Sequence, residues 1–102
     1  MSSTRVRAEA EPFDRSCVVV AVTFHGADDA TVFRADVADR LPSPGQLAPQ
    51  DVTRLVWHGR DRVPGVMPGT WLRVRGGRVT IDGVPTVHNP EFDLLDAAPD
   101  AR

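Results

Sequence analysis

Lysine is absent from this chain, and all 12 of its basic residues are arginine. A Walker-type phosphate loop needs a lysine at the phosphates, and a Schiff-base enzyme needs a lysine amine. Both classes are therefore excluded. Aromatic residues are also few, at four phenylalanines and two tryptophans. Each of them must therefore matter to either the core or the surface.

Cysteine is nearly absent too, since Cys17 is the only one, so neither an internal disulfide nor a zinc site built on a cysteine pair can form. Cys17 heads the most apolar segment, which favours an inert core thiol over a reactive one. The three histidines, His25, His58 and His88, do not fall at a metal-ligand spacing. We therefore expect no metal and no cofactor.

Catalytic signatures are missing as well. None of the four serines stands in a nucleophile-elbow context, so serine hydrolase chemistry has no support. The carboxylate pair Asp28-Asp29 follows His25-Gly26 in a turn-like segment, where such residues serve backbone conformation first. We expect no enzyme activity.

Long apolar runs are missing. The longest, residues 17–22, is far shorter than a membrane span requires. The first 15 residues carry charges but lack the apolar region of a signal peptide. These features predict a cytoplasmic protein.

Charge is distributed unevenly along the chain. The net charge of −2 argues against binding duplex DNA by bulk electrostatics. Residues 54–78, however, contain six arginines and a single acid, while the other acids lie towards the two ends. A basic middle fits a local anion-binding patch, and it equally fits an ordinary solvated strand surface.

Hydrophobic patterning predicts strands throughout and no helix of ten or more residues. Residues 17–24 are apolar and β-branched, as in a central strand, and residues 31–39 alternate between apolar and polar. Residues 52–58 form a third strand with an undetermined inward face, since Leu55 and Trp57 compete with Val52 and Val56. Further strands are predicted at 70–81, with a bulge or bend at Gly76-Gly77, and at 84–88.

Turn residues separate these strands. Residues 41–50 hold three prolines and a glycine and form a loop, and residues 62–69 leave room for a turn or a single helical turn. Asp82-Gly83 signals a tight hairpin, and Asn89-Pro90 ends the last strand. We predict that the segment after it folds back to plug one end of the core through Phe92, Leu94 and Leu95.

Five short strands favour a small barrel over a sandwich. We place a flexible tail at 1–14, the folded domain at 15–96 and a second tail at 97–102. The predicted core comprises Val19 or Val20, Phe33, Val37, Leu72, Val74, Val79 and Ile81.

The stretch from residue 55 to 95 resembles the C-terminal half of bacterial OB-fold nucleic-acid-binding domains. It looks like the short stand-alone actinobacterial OB proteins and the wedge domain of RecG-type helicases. The residues that carry the resemblance are the Pro68-Gly69-Thr70 turn, the glycine-rich bend, and the ending His88-Asn89-Pro90-Glu91-Phe92. The resemblance covers roughly residues 17–95, with the first hairpin agreeing in pattern only.

This resemblance implies a five-stranded Greek-key barrel whose second and third strands, with flanking loops, make the binding face. The family's usual helix between strands three and four is expected to be short or absent here, because residues 62–69 contain two prolines and two glycines. Two features depart from the family pattern: the proline-rich insertion at 41–50, and an overall charge that is slightly acidic.

Single-strand binders combine cations that follow the phosphates with rings that stack on bases. Trp71 with Arg73 and Arg75 supplies both on one outward face; the alternative is that Trp71 covers a barrel end and the arginines keep a strand surface soluble. Alternation predicts that Trp71 is more exposed than Trp57.

A second candidate set surrounds Trp57, for which the sequence supports a binding role and a core role to the same degree. Its companions are His58, Arg60 and Arg62, with Gly59 allowing a close backbone approach. Two further arginines, Arg34 and Arg54, extend the patch if strands two and three form its floor; each read alone is more simply a solvated strand residue.

Two functions follow. The first is non-catalytic binding of single-stranded DNA or RNA. The second is a protein-interaction barrel that uses the 41–50 loop or an exposed strand edge. The basic middle of the chain is needed only by the first.

Overall fold

The computed structural model describes residues 10–25, 31–41, 52–60 and 62–99. These residues form six strands, and they contain no helix that could cross a membrane. The strands are β1 Glu11–His25, β2 Val32–Ala38, β3 Thr53–His58, β4 Trp71–Ile81, β5 Val84–His88 and β6 Glu91–Leu95. The predicted all-β class is confirmed.

The strands form one sheet whose first five members close a ring of pairings. The order is β1-β2-β3-β5-β4-β6, and β1 also pairs with β4. The β3–β5 pair is parallel, and the other pairs are antiparallel. This arrangement is compatible with a small β-barrel. The strand β6 lies beyond the ring, attached to β4.

The segment after Asn89-Pro90 is the first correction to the sequence prediction. It forms a sixth strand paired with residues 71–75 of β4, where the sequence predicted a plug. Phe92 faces the core from this strand and is partly buried, whereas Leu94 is 52% exposed. Alternating residues in a five-residue segment were too few to signal a strand, and pairing with β4 decided its conformation.

The second correction concerns the start of β1. Residues 11–14, placed in the tail by the sequence prediction, pair with β4 from Arg78 to Arg75. Phe13 is buried there and belongs to the core, which holds this end of the strand in place. Residues 1–9 and 100–102 of the two predicted tails lie outside the described residues, as does most of the 41–50 loop.

The core confirms most of the predicted inward positions, and it settles the face of β3, where Leu55 and Trp57 point inward. The prediction that Ile81 is buried is wrong, because this residue is 42% exposed, and Val79 is only half-buried. The pairing of β4 with β1 ends at Arg78, so the end of β4 extends past the strand that would cover it. The confirmed predicted positions are Val19, Phe33, Val37, Leu72 and Val74.

The double glycine of β4 is not a bulge, because its register with β1 runs unbroken from Trp71 to Arg78. The bulge lies in β1 instead, between Val19 and Ala21. Gly76 and Gly77 mark the place where the partner of β4 changes from β6 to β5. A Cβ atom on Gly76 would lie 2.8 Å from Cγ1 of Val87. Glycine there leaves room for the side chain of Val87 on β5.

Gly76→Ala is therefore expected to destabilise the fold by about 1–3 kcal/mol, because the added methyl group overlaps the side chain of Val87. Chemical denaturation measures the loss. In a double-mutant cycle with Val87→Ala, the double variant should lose less stability than the sum of the two single losses, because Val87→Ala removes the overlapping atom. Strictly additive losses would contradict this account.

The hairpin between β4 and β5 forms as predicted. Asp82 and Gly83 both have positive φ, at 54° and 81°, which is the pattern of a type I′ turn. Residues 62–69 form turns, as the sequence also predicted.

Candidate functional site

A cleft of about 700 Å³ opens where β3 ends and the chain passes from β5 to β6. One wall comes from the end of β3, a second from the turn segment after it, and a third from the start of β6. The lining residues are Trp57, His58, Arg60, Val63, Pro64, Arg75, Asn89, Pro90, Glu91 and Phe92. The cleft thus combines apolar walls with cationic and imidazole groups.

The apolar wall of the cleft is an aromatic cluster. Trp57 is 5% exposed and packs between Phe33, at 5.9 Å between ring centroids, and Phe92, at 5.6 Å with its edge towards the indole. Both distances are within the favourable range for tilted and edge-to-face pairs. Trp57 is therefore a core residue that forms the wall, with little ring surface open to a base.

The imidazoles of His58 and His88 meet beside the cleft. Nε2 of His58 lies 2.9 Å from Nδ1 of His88, and the two ring planes are 22° from parallel with their centroids 5.0 Å apart. Burial, and then the proximity of His58, lowers the pKa of His88. Sequence analysis missed this pair because the two residues are 30 positions apart and only the parallel pairing of β3 with β5 joins them.

Asn89 fixes the backbone around the histidine pair. Its backbone N–H donates to the carbonyl oxygen of Val56 at 2.6 Å, and its side-chain oxygen accepts from the backbone N–H of His58 at 3.0 Å. Asn89 has φ 48°, a left-handed conformation that asparagine tolerates better than most residues. The predicted strand-ending role of this residue thus includes joining the ends of β3 and β5.

The two central arginines of the predicted interface are engaged with carboxylates on the outer face of β4. Nε of Arg73 donates to Asp14 at 2.8 Å, which lowers the pKa of Asp14 and raises that of Arg73. Arg75 contacts Asp93 at 3.2 Å and Glu91 at 3.8 Å. This face therefore carries a ladder of opposite charges on three adjacent strands, in which Arg73 and Arg75 stand beside carboxylates of β1 and β6.

The ladder continues at the other end of β4. Arg78 donates to Glu11 at 2.9 Å, and its guanidinium lies 5.0 Å from the ring centroid of Phe13. The acids come from β1 and β6, which flank β4 on both sides. The basic middle of the sequence is thus largely neutralised in the folded chain.

Arg34 and Arg54 lie on the outer face of β2 and β3. Arg54 is directly opposite Asp36 in the strand register, and its Nε contacts that carboxylate at 3.3 Å. Arg34 is half-buried and stands opposite Val56. Neither arginine lines the cleft.

Two other predicted residues have a different setting. Arg60 and Arg62 are exposed, and within the described ranges no carboxylate lies within ion-pair distance of either.

Trp71 is half-buried between Val18 of β1 and Leu95 of β6, away from the cleft. It is more exposed than Trp57, as alternation predicts. Of the predicted site residues, the cleft brings together His58, Arg60 and Arg75.

A smaller cavity of about 210 Å³ is lined in part by Phe13, Arg15, Cys17 and Asp39. Cys17 is buried at this cavity, and burial raises the pKa of its thiol to about 12. A thiol with so high a pKa is a poor nucleophile at neutral pH. Among the described residues, no group of three or more side chains is arranged to hold a metal ion.

Comparison with protein-family models, curated proteins and solved structures finds no match to this chain.

Proposed function

We propose that this chain is an OB-type barrel that binds single-stranded nucleic acid without catalysis, and that it does so at the cleft. The closed ring of β1, β2, β3, β5 and β4 supports the fold part of the proposal, since a five-stranded Greek-key barrel needs this kind of closure. The short turns at residues 62–69 fit an OB barrel that lacks its usual helix.

The observation that carries the proposal is the location of Arg60. This guanidinium lines the cleft beside His58 and the apolar wall, and the exposed Arg62 follows it two positions later. Phosphates need cations that are not already neutralised, and bases need an apolar surface within one nucleotide of those cations. The cleft supplies both, with Pro64 and Phe92 as the apolar contacts.

This proposal moves the interface away from the face of Trp71 and Arg73. A carboxylate beside an arginine reduces the positive potential that a phosphate meets there, so a paired arginine attracts a phosphate less strongly. Arg73 and Arg75 on β4 each contact a carboxylate in this way. We therefore assign the phosphate contacts to Arg60 and Arg62.

The double variant Arg60→Gln/Arg62→Gln should abolish the salt-dependent part of single-strand binding. For the unaltered chain, two phosphate contacts predict a log–log salt slope of about −1.4, at roughly −0.7 per contact. Fluorescence anisotropy with labelled oligo-dT and oligo-U at several salt concentrations measures both quantities.

The matched control is Arg73→Gln/Arg78→Gln, which removes the same charge from arginines that are paired with Asp14 and Glu11. This control should bind like the unaltered chain. Equal weakening by both double variants would mean that only net charge matters and would contradict the assignment to the cleft.

The edge of β6 favours a second candidate, a protein-interaction barrel. Within the described residues, β6 pairs with β4 alone, so its other edge offers backbone groups for strand addition. This function needs no free cations. A flat salt response, with no binding to either oligonucleotide, would reject the first proposal and leave this one as the better explanation.

A further inference from the structure

The histidine pair at the cleft has a geometry that single-strand binding does not use. From it we propose that His58 and His88 form a two-ligand site for a divalent late first-row transition-metal ion, with Cu²⁺ preferred over Ni²⁺ and Zn²⁺. The two ligand atoms are Nε2 of His58 and Nδ1 of His88, and water completes the coordination.

The separation of the two nitrogens fits a shared ion. Metal–imidazole bonds are about 2.0–2.1 Å long, so two nitrogens at a right angle on one metal are about 2.9 Å apart. The observed Nε2···Nδ1 distance is 2.9 Å. A tetrahedral ion would need about 3.3 Å between the same atoms, so the two rings would have to move slightly apart to bind it. The right-angle fit favours Cu²⁺ and Ni²⁺ geometries.

The backbone that carries both ligands is held in place before any ion binds. Asn89 bonds to the backbone of Val56 and of His58, which fixes the end of β3 against the end of β5. His88 is the last residue of β5 and stands directly before this joint. Groups that fix ligand orientation in this way raise metal affinity, because less order is lost on binding.

Metal binding requires a deprotonated nitrogen on each ring. Imidazole binds metals in its neutral form, through the lone pair of a ring nitrogen. Binding displaces the proton that the two nitrogens share in their hydrogen bond. Arg60 and Arg75 line the same cleft, and the carboxylates of Glu91 and Asp93 both contact Arg75.

Titration of the full chain with CuCl₂ at pH 7.5 tests the site, read by calorimetry and by quenching of the fluorescence of the adjacent Trp57. One equivalent should bind, and ZnCl₂ should bind more weakly, in line with the general order of affinities. His58→Asn and His88→Asn should each weaken binding by at least about tenfold, because each removes one of the two ligands. His25→Asn is the matched control and should bind like the unaltered chain.

A second measurement separates ligand loss from loss of the fold. In the unaltered chain, Zn²⁺ should shift the imidazole ¹⁵N resonances of Nε2 of His58 and Nδ1 of His88 and leave those of His25 in place. Binding that survives both single variants, or that His25→Asn weakens equally, would overturn the assignment. So would Zn²⁺-induced shifts at His25 alone.

Discussion

Trp57→Ala should lower the free energy of unfolding by about 3–5 kcal/mol, the usual cost of removing a large buried aromatic side chain. The indole is 5% exposed and contacts two other rings, those of Phe33 and Phe92. Its removal leaves a cavity that β3 and β6 would have to close together. Guanidinium denaturation followed by far-UV circular dichroism measures the change without relying on tryptophan fluorescence.

Trp71→Ala is the matched control for this prediction. Trp71 is half-buried on the outer face of β4, so less of its surface leaves water on folding. Its replacement should cost clearly less than that of Trp57, and iodide should quench Trp71 more strongly in the two single-tryptophan variants. A larger loss at Trp71 would show that the outer face of β4, and not the aromatic cluster, holds the fold together.

Leu72→Ala should cost about 2–5 kcal/mol, since Leu72 is 0% exposed at the centre of the core. It belongs to the only strand that pairs with β1, β5 and β6 among the described residues. Loss of packing here therefore weakens three pairings together. Thermal and chemical unfolding of the purified variant measure the cost.

Leu94→Ala offers an unusually close control for Leu72→Ala. Leu94 is directly opposite Leu72 in the β4–β6 register, and it is 52% exposed. The same substitution at the same level of the sheet should cost no more than about 1 kcal/mol, because about half of this residue is already exposed to water. Equal losses would mean that β6 is a structural part of the core and not an attachment to the ring.

Local patterns predicted most of the strands correctly. Alternation in residues 31–39 placed Phe33, Ala35 and Val37 on the inward face, and all three are buried. Asp82-Gly83 predicted its turn because few other residue pairs accept two positive φ values. These features depend on neighbours within a few positions, so the sequence contains all the information they need.

The extra length of β1 and the sixth strand could not be predicted in this way. Residues 11–14 carry only one apolar side chain, Phe13, and their strand conformation comes from pairing with β4. The same strand β4 holds Glu91–Leu95 on its other side. A segment whose own alternation is weak becomes a strand when a stronger neighbour supplies its hydrogen bonds.

Sequence alone determined that this chain lacks lysine chemistry, contains no disulfide and alternates as an all-β protein, because composition and short-range periodicity suffice for each conclusion. Tertiary structure decided which charges remain available. Arg73 meets Asp14 across 59 positions, and Arg78 meets Glu11 across 67. His58 meets His88 across 30. Strand pairing between distant segments creates all three contacts, so a basic region in the sequence became a neutral ladder and two unrelated histidines became neighbours.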